Sequence, residues 1–171
     1  MGSATCRKHL LKVKQLLTKF EREPKEIQGR KITQWFLTGE DIFIELFELG
    51  QTVNWNFSEI KNHSEISEIC SGITANNSRL GCFISLYPNF RINLDLVGSA
   101  DDICKVRSGL DVLLKGFSDI SREFDKVLQN INEQGEVDEF DRCLKIWLET
   151  GHRPDFVNKP TGLLKYHWWW F

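Results

Sequence analysis

Nine apolar side chains, Ile103, Val106, Leu110, Leu113, Phe117, Ile120, Phe124, Val127 and Ile131, recur at alternating intervals of three and four residues. That spacing is one apolar stripe of a helix. Ser99-Ala100-Asp101-Asp102 precedes it and reads as an N-cap with an acidic residue at the third position. One helix over Ala100–Asn132 would be about 50 Å long at about 1.5 Å per residue. Gly109 and Gly116 interrupt it, and each weakens a helix interior by about 1 kcal/mol relative to alanine. The pattern therefore predicts a break near Gly116 and two helices that cover one face of a sheet. Sustained heptads also permit the alternative of a coiled coil joining two copies along Ile103–Ile131.

Two further helices are legible. Cys6, Leu10, Val13, Leu17 and Phe20 form one stripe, and Pro24 predicts an end near Arg22. Basic residues occupy the other positions of this segment, a pattern also met in binders of nucleic acid and anionic lipid. The apolar stripe is wide enough to pack on a core, and that is the expectation here. Val137, Phe140, Leu144 and Trp147 mark a helix over Val137–Glu149, stopped by Gly151 and Pro154. A weak helical stretch lies near Glu65–Ile73.

Between these lie five candidate strands: Lys31–Leu37, Asp41–Glu48, Thr52–Phe57, Gly81–Tyr87 and Phe90–Val97. All are rich in β-branched and aromatic residues, and Thr38-Gly39, Gly50 and Pro88-Asn89 punctuate them as turns. Ile92, Leu94 and Leu96 alternate with Asn93 and Asp95, a half-buried strand pattern. Asp41–Glu48 also reads as a short helix, but strand is preferred. The sum is an α+β fold: an antiparallel sheet of about five strands, packed by N-terminal and C-terminal helices in a single domain, 1–171.

Charge is unevenly spread although the net is only −2. Residues 1–31 carry a net +6, residues 32–61 a net −4 and residues 101–150 a net −5. Acidic faces steer association with basic partners. The five cysteines, Cys6, Cys70, Cys82, Cys104 and Cys143, are odd in number and widely spaced. That argues against a secreted disulfide framework and for a reducing, cytoplasmic setting. The N-terminus lacks a signal-peptide pattern. No apolar run approaches the roughly 18 residues a membrane span needs.

No motif carries catalysis. Cys6 and His9 share a helical face, but no second close pair completes a metal site. Glu136, Asp138, Glu139 and Asp141 are dense, yet the positive end of a helix dipole explains them without acid–base chemistry. The glycines form no phosphate-binding loop. The expectation is a non-enzymatic chain without cofactor or metal.

His167-Trp168-Trp169-Trp170-Phe171 is the densest aromatic run. Three adjacent indoles each bury about 150–250 Å² when covered. Residues 151–171 are therefore expected to be an extended aromatic tail docked on the domain. In a strand, Trp168 and Trp170 would face one way and Trp169 and Phe171 the other. Few basic residues flank the run, which disfavours stacking on nucleic acid.

The tail Gly151-His152-Arg153-Pro154-Asp155-Phe156-Val157-Asn158-Lys159-Pro160, followed by Thr161–Phe171, sits on a small domain with acidic segments and no catalytic motif. This combination resembles the bacterial immunity proteins of toxin systems, in particular those paired with contact-dependent growth inhibition toxins. The resemblance implies a protein that binds and neutralises a cognate toxin, commonly a nuclease, by blocking its active site or substrate groove. The residues expected to meet a basic toxin are Glu45, Glu48, Asp101, Asp102, Glu136, Asp138, Glu139 and Asp141. Pairing of a toxin hairpin with a sheet edge is a second mode. The alternatives are a homodimeric module and an enzyme whose site is assembled from distant residues. No nucleic-acid or membrane partner is expected.

Overall fold

The fold is organised around α2, Arg30–Thr52. Trp35, Phe36, Ile42, Phe43, Leu46, Phe47 and Leu49 are buried along it, and so are Thr38, Gly39, Glu40, Glu45 and Gly50. A helix covered on nearly every side belongs at the centre of a bundle. The computed structural model describes residues 2–23, 30–94, 99–151, 160, 162 and 167–170. Around α2 run α1 (Gly2–Arg22), α3 (Glu65–Ala75), α4 (Asn77–Leu94), α5 (Ser99–Asp111), α6 (Phe117–Ile120), α7 (Glu123–Ile131) and α8 (Glu136–Glu149). α1 and α5 pack along α2, α3 packs on α1, and α4 lies against α7 and α8.

Among the described residues there is no strand, so the expected α+β fold and its five-stranded sheet give way to an all-α fold. The reason is burial. Lys31–Leu37 and Asp41–Glu48 are successive parts of α2, whose β-branched and aromatic content reflects enclosure rather than pleating. Gly39, read as a turn residue, lies mid-helix. A Cβ there would stand 2.4 Å from the Phe83 ring. Thr52–Phe57 is the end of α2 and a turn in which Asn54 and Trp55 have φ of 48° and 60°. Gly81–Tyr87 and the start of Phe90–Val97 belong to α4, with Pro88-Asn89 inside it; residues 95–97 fall outside the described ones. Leu80, Ile84, Tyr87 and Arg91 are all buried at intervals of four, three and four. That helical stripe outweighs the short alternation that follows.

The heptad run is helical but does not break at Gly116. α5 passes through a π-helical stretch, Val112–Gly116, into α6, and the chain turns at Ser121, whose φ and ψ are −152° and 132°. Ser121 then starts α7: its Oγ accepts the Glu123 N–H at 3.3 Å and its carbonyl accepts the Phe124 N–H at 3.2 Å. Gly116 makes room for Phe57, whose ring would lie 2.7 Å from a Cβ. Eight of the nine stripe residues are buried within the chain, and Val127 is half-buried. The seam is thus spent on the chain's own core, which leaves no apolar stripe for a coiled coil with a second copy.

The core is rich in aromatic contacts. Phe20 stacks on Trp35 at 5.3 Å, Phe36 on Phe90 at 4.2 Å and Phe43 on Phe83 at 5.4 Å. One ion pair sits among them. Arg91 donates from Nε and Nη2 to Glu40, each at 2.6 Å, and the Tyr87 hydroxyl donates to the same carboxylate at 2.6 Å. Burial, and then the Glu40 charge, push the Tyr87 hydroxyl pKa well above its usual value.

Of the described tail residues, His167, Trp169 and Trp170 are seated in this core. Trp168–Trp170 form a 3-10 turn, not a strand, so Trp169 and Trp170 are both buried while Trp168 stays 41% exposed. Both buried indoles donate to one oxygen, Ser108 Oγ, at 2.9 and 3.0 Å, and that hydroxyl donates to the Cys104 carbonyl at 2.9 Å. The Arg107 guanidinium lies 4.4 Å over Trp169 and is held by Asp111 and Asp141. His167 Nε2 is 3.2 Å from Asp111 Oδ2, and its ring packs on Trp55 at 4.8 Å.

Burial by itself would raise the Asp111 pKa, but the hydrogen bond to His167, the charge and hydrogen bond of Arg107, and the charge of Lys115 outweigh it and hold it below the usual carboxylate value. A carboxylate depressed in the fold adds stability that is present above about pH 4 and is lost as pH falls through the folded value. Asp111→Asn is therefore expected to flatten the acid limb of a melting-temperature profile between about pH 5 and 2. An unchanged slope would remove Asp111 from the acid sensitivity.

Candidate functional site

The eight acidic candidates do not form one patch. Glu45 is buried on α2, where it binds His9 Nδ1 at 2.6 Å and Lys12 Nζ at 2.7 Å, both from α1. Glu48 is half-buried one turn further along α2. Asp101 and Asp102 open α5, and Asp102 lies 3.3 Å from Arg91. Burial first, and then the Glu40 charge, raise the Asp102 pKa. Asp141 is spent on Arg107. Glu139 takes both arms of Arg142, at 2.8 and 2.6 Å, and that hydrogen bonding lowers its pKa. Asp138 is exposed, and Glu136 is half-buried at the start of α8. The dense carboxylate run of α8 therefore divides between internal pairs and solvent. The second expected mode, pairing with a sheet edge, falls with the sheet.

One of the eight, Glu136, does line a groove. It lies between the first turns of α4 and the α7–α8 connection, has a volume of about 550 Å³, and opens to solvent. Asn77, Ser78, Gly81, Cys82 and Ser85 form the α4 wall, and Asn130, Glu133, Gln134 and Glu136 the other. None of these lining residues is basic. Glu136 Oε2 accepts the Gln134 N–H at 2.9 Å, which folds the connection back toward α8, while Gly135 turns it with a φ of 79°. Gly81 sets the depth. A Cβ there would lie 3.0 Å from the Ile131 carbonyl oxygen, so α4 comes close to the last turn of α7.

Sequence reasoning missed eight of these nine residues. The chain does carry two local loop signals, the pair Asn76-Asn77 and the polar run 132–135 before Glu136, but they lie some fifty-five residues apart. Only the packing of α4 on α7 and α8 joins them. The other candidates place no chemistry here. Cys6 is buried, and that burial raises its thiol pKa, while His9 is engaged by Glu45. Among the described residues no group of three metal-ligating side chains converges, and no helix is long and apolar enough to cross a membrane. Comparison of the chain with family models, with curated proteins and with solved structures finds no match.

Proposed function

We propose that this chain is a binding protein that neutralises a cognate bacterial toxin, in the manner of the immunity proteins it resembles. The observation that supports the reading is the open groove bounded by Glu133 and Glu136, which has polar walls and no basic lining residue. Electronegative concavities attract basic surfaces and raise association rates. Nuclease toxins present such surfaces to bind phosphates. Under this reading the chain acts in the cytoplasm, where a delivered toxin meets its target, and catalyses nothing itself.

The test is rescue. Cells that make the toxin domain encoded beside this chain should survive when the chain is co-expressed, and the two should co-purify with a nanomolar dissociation constant. Continued killing in the presence of folded protein would end the reading.

A further inference from the structure

We propose that the groove between α4 and the α7–α8 connection is a socket for an arginine side chain of a protein partner, with Leu86 as the apolar contact beside it. The inference deepens the binding reading above and rests on it. Shape comes first. A cavity of about 550 Å³ accepts an inserted side chain, whereas a flat acidic face does not.

Charge comes second. Glu133 and Glu136 lie on one wall, opposite Gly81 and its neighbours on α4. Asn77, Asn130 and Gln134 add carboxamide oxygens, and Ser78 and Ser85 add hydroxyls. A guanidinium has five N–H donors in a planar fork and no acceptor, so it can use several of these oxygens at once; an ammonium, with three donors on a point charge, uses fewer.

The third observation is apolar. Leu86 stands one helical turn beyond Cys82 on α4, so it extends the face that forms the wall. It is 48% exposed, one of four large apolar side chains exposed among the described residues. Arginine is among the side chains that most often anchor an interface, and an exposed leucine beside the socket suits an apolar neighbour of that arginine. The occupant is therefore a loop that carries arginine beside an apolar residue.

The probe is a fluorescein-labelled hexa-arginine peptide, with hexa-glutamate as control, followed by fluorescence anisotropy. Ser85→Arg supplies the socket with its own guanidinium and is expected to weaken peptide binding by about tenfold or more. Glu133→Gln with Glu136→Gln adds no volume, keeps an oxygen for the Gln134 amide, and should weaken binding to the same extent. Cys82 reports position: the peptide should slow its alkylation by iodoacetamide, while Cys70, half-buried on α3, should react at an unchanged rate. Wild-type affinity in both variants, or equal protection of the two thiols, would overturn the socket. If wild-type protein fails to rescue cells while the peptide results hold, the immunity reading falls and the socket stands. If Ser85→Arg loses the peptide yet rescues fully, the toxin does not enter this socket.

Discussion

Gly109→Ala is expected to cost more stability than any other single methyl group added to this chain. The new Cβ would stand 1.8 Å from the carbonyl oxygen of Phe43 and 2.6 Å from its carbonyl carbon. Both are backbone atoms of α2, and a helix backbone cannot rotate aside as a side chain does. α5 must lift off the central helix, which loosens the packing of Phe43, Leu46 and Leu110 together. Overpacked cores lose about 1–3 kcal/mol, occasionally more, and this contact belongs at or beyond that upper end. Gly72→Ala is the matched comparison. Its Cβ would meet only the Leu17 side chain, with Cδ1 at 3.3 Å and Cβ in ordinary contact at 3.4 Å, and alanine favours the helix by about 1 kcal/mol. Urea denaturation of the pair should show a large loss for Gly109→Ala and little or none for Gly72→Ala. Equal midpoints would refute the close crossing of α2 and α5.

The second large effect is expected in the tail socket. Trp170→Ala removes an indole that is 1% exposed and stacks near Phe47 at 6.1 Å, a change worth about 3–5 kcal/mol. Ser108→Ala acts on the same site without removing a ring. It strands the indole N–H groups of Trp169 and Trp170 together, each at a cost of about 1–3 kcal/mol. Because the two changes share a hydrogen bond, they should not add. The double variant should be less destabilised than the sum of the singles. Deletion of residues 168–171 should exceed either single change and approach the roughly 5–15 kcal/mol that holds a typical domain together. A tail-deleted protein that melts with the full chain would show that the tail does not support the fold.

Helices with one apolar stripe were legible, and helices buried all round were not. α1 ends at Arg22, where Pro24 predicts a stop, and α8 begins one residue before the expected Val137. Each shows the core a single face, so its pattern carries the period of the helix. α2 shows the core nearly every face, so its composition follows enclosure and imitates strands. The break after α6 was displaced because the two glycines of the heptad run serve close packing: Gly109 admits Phe43 and Gly116 admits Phe57. The groove stayed hidden for another reason. Glu133 and Ser85 look like ordinary surface until α4 is laid against α7. Conversely, the most conspicuous acidic residues, Glu45 and Asp141, turn out to be engaged by His9, Lys12 and Arg107 inside the fold.

The enclosure of α2 bears on how the protein is made. Some sixty residues separate Phe43 from Gly109, the point at which α5 closes over it. At about 5–20 residues per second, roughly 3–13 s of translation pass between the two. Throughout that interval the central helix has α1 beside it but lacks the cover that α5 provides. Trp169 and Trp170, which also pack into this core, come some sixty residues later still. Nascent chains stalled before α5 should therefore bind holdase chaperones, and chains released past Trp170 should not.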